Sequence, residues 1–204
     1  MIALISSAAD WFLSLILLYK YVALFLISYV AALALPVPAS TTVVAAGAFA
    51  SAGYLNFPLV LLTALAANVA GDLTGFFAAR RWGIRALSSL GLGFLVHTSG
   101  FSTLKRYLQN FPRLIIFSTR FVTEAGPAVN VFSGVTDLNT KLFVTYDILG
   151  EGAYVILYSG AGYILGSAWQ DHIGVLTRGV FLIEMVGITF IVLRMFLRAY
   201  RTHR

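Results

Sequence analysis

The sequence contains no cysteine, only 5 prolines among 204 residues, and little charge. Without cysteine there can be no disulfide and no thiolate metal site. Charged residues make up 11% of the chain, against about 25% in a typical soluble domain. Acidic residues are scarcest, 8 against 14 lysines and arginines, for a net charge of +6. His97, His172 and His203 lie outside the apolar runs at unrelated spacings, so no metal site and no cofactor are expected. Apolar residues dominate instead: 59% of the chain is hydrophobic and the mean hydropathy is +0.88. That is the composition of an integral membrane protein, with no room for a sizeable soluble domain. The basic excess is read as span-end topology signals and headgroup anchors, not as a nucleic-acid surface.

A span needs about 20 mostly apolar residues. Residues 1–18 are apolar but contain Asp10, and Lys20 follows, so an interfacial helix or the start of a first span is expected. The start lacks a basic n-region and its apolar run is long, so it is read as retained rather than cleaved. The first span itself runs from near Tyr21 to Leu35. The stretch LPVPASTTVVAAGAFASAG, residues 36–53 in the main, is short and broken by Pro36 and Pro38. It fits a re-entrant hairpin, because irregular backbone at membrane depth is tolerated only inside protein or beside water. Residues 57–80 form a span ending in Arg80 and Arg81. Residues 84–112 read as a cytoplasmic amphipathic and loop region, and 114–136 as a second broken hairpin. Spans follow at 142–166 and 174–194, and 195–204 is a basic tail. The positive-inside rule puts the tail, Lys141 and Arg80 in the cytoplasm. The first hairpin then opens outward and the second inward.

The expected fold is therefore all-α and membrane-integral. It has about four full transmembrane helices, two re-entrant hairpins and interfacial amphipathic helices, in a single membrane domain. An internal repeat is visible. Asn68-Val-Ala-Gly71-Asp72 in one span resembles Asp147-Ile-Leu-Gly150-Glu151 in another. Each span follows a broken hairpin and a Leu-Asn turn, and the two units run in opposite directions. That pattern is an inverted repeat of the kind used by secondary transporters.

Asp72 and Glu151 sit in mid-span, where an ionisable residue costs roughly 2.5–3.5 kcal/mol and is a functional candidate by default. Asn68 and Asp147 share their helix faces at i, i+4. Arg120, in STRFVTEAGP, is a permanent cation with a fork of donors suited to phosphate. Glu124 stands four residues beyond it and is expected to pair with it until an anionic substrate displaces the carboxylate. The bland alternative is an internal salt bridge with no further role. Glu184 in the last span is a lesser candidate, and the tyrosines, Tyr154 among them, read as packing residues.

These features resemble the DedA family, also called SNARE-associated or VTT-domain proteins. The resemblance runs from about Leu35 to Gly166. It rests on LPVPAS and AGAFASAGYLNF, then AGDLTGFFAARRWG, FSTRFV and GEGAYVILYSGAGYILG in that order. It implies a fold with two re-entrant hairpins in an inverted repeat. It also implies transport or flipping of a polyprenyl phosphate such as undecaprenyl phosphate with proton coupling, or scrambling of phospholipids as in eukaryotic relatives. The location it implies is a bacterial or archaeal inner membrane, with the C-terminus in the cytoplasm. This chain departs from the family pattern at several places. Ser40, just after Pro38, stands where the family has a glutamate. Thr123 replaces a proline, and Gly126 replaces a second arginine. Asp72 matches the family's Gly-Asp acid. A chain without the second arginine should hold phosphate less tightly.

The reading that results is a non-enzymatic lipid transporter. Its expected partners are anionic membrane lipids and protons, with a homodimer left open. Its site comprises Arg120, Asp72, Glu124, Glu151, Asp147, Asn68, Ser40 and Pro38. The rival readings are a small-solute or ion transporter on the same fold and a non-transporting membrane scaffold.

Overall fold

The computed structural model describes residues 2–33, 35, 37–83, 106–121 and 126–166, the side chains of 2–14 and 17 aside. The described residues form six principal helices: α1 (Ile2–Ala32), α2 (Ala39–Ser51), α3 (Phe57–Trp82), α4 (Pro112–Thr119), α5 (Gly126–Val135) and α6 (Thr140–Leu165). A short helical turn at 106–110 precedes α4. Among them α3 and α6 are long and apolar enough to cross a membrane, and Leu18–Ala32 and Ala39–Ser51 are shorter apolar helices. The chain is an integral membrane protein, and its described residues hold helices and no strand. The expected span at 174–194, the tail, Glu124, Glu184, the three histidines and residues 84–105 lie outside the described residues.

The two long helices are built alike. Each has 26 residues and opens on an asparagine cap, Asn56 or Asn139, whose side chain accepts from the backbone N–H three residues on at 3.2 Å. Such a cap satisfies one of the donors a helix start leaves unpaired. Each ends on a glycine with positive φ, Gly83 at 59° and Gly166 at 47°, a conformation glycine adopts at little cost. Counted from its cap, every buried position of α3 recurs as a buried position of α6: Val60 answers to Phe143, Asn68 to Glu151, Ala79 to Gly162. This register differs by one helical turn from the one the Asn-x-x-Gly-Asp and Asp-x-x-Gly-Glu motifs suggest. The matched caps set it; the motif glycines do not.

The long helices lie antiparallel. Arg80, near the end of α3, donates to Thr140 at the start of α6 and to the Leu138 carbonyl at 2.6 Å. At the other end the Tyr163 ring of α6 packs on Phe57 of α3, centroids 4.6 Å apart. In the middle Asn68 Nδ2 donates to Glu151 Oε2 at 2.6 Å. The short helices pack crosswise. α2 lies against α6, where a side chain at Gly47 would run into the Ser159 backbone. α5 lies against α3, while α1 and α4 pack on α3 and α6 respectively. Small residues at such contacts let backbones approach closely, which replaces the hydrophobic drive that is missing inside lipid.

α1 is two helices joined at a kink. The hinge residue is Lys20, with φ 49° and ψ −121°. The second proline break, before α2, is stabilised by Thr42, whose hydroxyl donates to the Pro38 carbonyl at 2.7 Å. Two apolar clusters fill the bundle. One joins Leu24, Val43, Val60 and Val155. The other joins Phe76, Ile116, Phe132 and Phe143. A polar layer runs between them.

Candidate functional site

The polar layer is centred on Arg120, which caps the end of α4 just before the chain breaks toward α5. Its side chain is 1% exposed. Phe117 and the Arg120 stem lie close against Gly150 of α6. A Cβ there would come within 2.7 Å of Arg120 Cγ and 3.1 Å of the Phe117 carbonyl. The glycine therefore admits the arginine to the centre of the bundle.

Among the described residues four side chains meet the guanidinium. Nη1 donates to Asp72 Oδ2 at 2.8 Å and lies 3.8 Å from Glu151 Oε1. Nη2 donates to Asn130 Oδ1 at 2.5 Å and pairs with Asp147 Oδ1 at 3.0 Å. Asn130 also donates through Nδ2 to Asp72 Oδ1 at 2.5 Å, so it ties acid and base together. Glu151 takes its other contact from Asn68. Arg120, Asp72, Asn68, Asp147 and Glu151, all flagged by their cost in an apolar chain, thus converge from α3, α4 and α6. Ser40 is buried on the first turn of α2, and Pro38 is that helix's N-cap. Their neighbour Ala39 lines the cavity beside the guanidinium. Asn130 was not flagged, because a lone asparagine in AVNVF carries no charge to give it away.

The charges do not balance. Among the described residues three carboxyl groups surround one cation, so with all of them ionised these four groups carry a net formal charge of −2. A buried charge without a partner is expensive. Among the described residues no three acids or histidines converge so as to hold a metal ion. A cavity of about 40 Å³, room for roughly two or three waters, opens beside the guanidinium. It is bordered by Ser28 and Ala32 of α1, Thr119, Gly126 and Pro127 at the α4–α5 break, and Tyr154 of α6. Tyr154, expected to be a packing residue, borders the site as well.

No family model matches the chain, and no solved structure does. Among curated proteins it is 28% identical over 126 residues to the inner membrane protein YohD of Escherichia coli K12, covering 62% of this chain and 64% of that one. It is 24% identical over 153 residues to protein DedA of the same strain, covering 73% and 69%. It is 21% identical over 135 residues to undecaprenyl phosphate transporter A of Bacillus subtilis 168, covering 66% and 68%. The chain spans less than two thirds of the length of YohD.

Proposed function

We infer, on the premise that the chain belongs to the DedA family of membrane proteins, that it carries an anionic lipid headgroup across the bilayer past Arg120. The observation that carries this reading is the buried guanidinium at a chain break, beside a cavity, with every strong partner a carboxylate or amide that an anion can replace. A phosphate would compete for the same Nη donors, since Arg pairs with phosphate and carboxylate in the same forked geometry. It can enter only as the carboxylates are neutralised or withdrawn. Proton uptake by the carboxyl groups around the guanidinium would supply that neutralisation, so proton binding and headgroup binding would favour each other reciprocally. The resemblance to an undecaprenyl phosphate transporter makes a polyprenyl phosphate the first substrate to try, and a phospholipid the second.

The α4–α5 break and the proline break before α2 are read as the two re-entrant hairpins of an inverted repeat. The antiparallel long helices, their matched caps and the crosswise packing of α2 and α5 support this. Positive-inside bias places the Arg80, Arg81 and Lys141 end in the cytoplasm. In a bacterial cell that makes the inner membrane the site of action.

The test is lipid translocation in proteoliposomes. Arg120→Gln and Asp72→Asn should each reduce it to background while leaving the helical content intact. Wild-type rates in both variants would reject the reading. The cavity, at about 40 Å³, also suits a small anion. Uptake of a soluble anion with no lipid movement would favour that rival, and neither flux would favour a scaffold.

A further inference from the structure

A second cavity, of about 230 Å³, opens at the other end of α3 from Arg80. It is lined by Ile16, Lys20, Gly53, Tyr54 and Leu55 and shares no lining residue with the cavity at Arg120. Lys20 is the kink of α1, and its φ of 49° with ψ of −121° lies where glycine is comfortable and a side chain is strained. A glycine would make the same bend without strain. A lysine at that hinge points to something other than the bend, since strained side chains persist where surrounding structure and function hold them.

Topology does not explain it either. The described basic residues gather toward the opposite end of the long helices: Arg80 bonds at the start of α6, and Arg113 lies over the Tyr146 ring. Among the residues whose side chains are described, none forms an ion pair with Lys20. Its depth is fixed by its neighbour. The Tyr21 hydroxyl accepts from the Asn56 backbone N–H at 2.8 Å, so the kink is level with the first residue of a membrane-spanning helix. That is headgroup depth. Tyr19 and Tyr54, 58% and 64% exposed, flank the kink as aromatic residues do at a membrane–water boundary. Leu18 and Val22 are exposed beside them and offer apolar surface to hydrocarbon chains.

We propose that the pocket at the α1 kink is a docking site for a phosphate-bearing anion, with the Lys20 ammonium as counter-ion and the Tyr54 hydroxyl as donor. The backbone N–H groups of Gly53, Tyr54 and Leu55 are already spent on the Ala50 and Phe49 carbonyls, so only side chains face the ligand. Binding of that kind is loose and exchangeable, which suits a headgroup that must move on. The site's existence does not depend on transport through Arg120. Its purpose, as a place where a lipid waits before entering the bundle, does rest on that reading.

Phosphatidylglycerol and inorganic phosphate share the chemistry and separate the sources. The full chain in phosphatidylcholine nanodiscs, with or without phosphatidylglycerol, is examined by native mass spectrometry for retained anionic lipid. Lys20→Gln should weaken phosphatidylglycerol retention roughly fivefold, the weight of one lysine near a headgroup surface. Lys20→Gly should weaken it equally and raise the unfolding temperature, because the hinge strain is released. Inorganic phosphate titrated into phosphatidylcholine-only nanodiscs, binding through Lys20 while phosphatidylglycerol does not, would assign the pocket to a soluble anion. Retention and phosphate binding both unchanged in Lys20→Gln would overturn the proposal. That failure is distinguishable from failure of the transport reading, because Arg120→Gln should leave this lipid in place while ending translocation.

Discussion

Asn130 is uncharged, yet it makes two of the shortest contacts in the polar layer, one to Arg120 and one to Asp72. Replacing it by leucine strands a buried donor and a buried acceptor, at about 1–3 kcal/mol each. Asn130→Leu should therefore lower the unfolding temperature in detergent and reduce translocation, whereas a distant surface leucine would do neither. Arg120→Lys is expected to fail nearly as badly as Arg120→Gln in translocation. An ammonium is a point charge that cannot hold Asp72 and Asn130 through two parallel donors. Preserved rates in Arg120→Lys would mean that charge alone serves the site. The charged members of the layer were legible in the sequence, since an acid or arginine in an apolar run must be there for a reason. Asn130 was not legible, because amides are tolerated in spans far more cheaply than charges. Its role appears only once α5 is laid beside α3.

At the scale of elements, close backbone contact decides where the chemistry can sit. The Gly150 contact lets α4 approach α6 until Arg120 reaches three acids on two helices. Gly150→Ala should push that stem aside and reduce translocation sharply while every charged residue stays in place. Rates equal to wild type would show that α4 has room to give. The long helices were readable from length and composition, and their asparagine caps from the Leu-Asn turns. The start of α6 at Thr140, rather than 142, follows from the cap at Asn139. The sequence marked an interruption at Lys20, between 1–18 and a span from near Tyr21, but not its backbone, because nothing in DWFLSLILLYKYVALF signals a residue of positive φ. The likeness of the two long helices was visible as a motif, but the register in which their buried positions match was not. Two glycine-acid patterns one turn apart look equally good in a string of letters, and only caps and burial separate them.

For the whole molecule, the excess of carboxyl groups over guanidinium predicts how pH acts. On the proposed transport reading, each proton taken up by the layer should free Arg120 donors for an anion, so apparent headgroup affinity should rise as pH falls. Glu151→Gln removes one titrating partner and should flatten that dependence, read as lipid binding across a pH series. A slope identical to wild type would exclude Glu151 from the coupling.

The two long helices match in caps and buried positions, but not in the polar groups they carry. Asn68 stands opposite Glu151, while the positions answering to Asp147 and Asp72 are Ala64 and Val155. A carrier with matching halves would idle equally toward either leaflet. On the transport reading, the unequal lining should tilt that balance and give the empty protein a preferred resting posture.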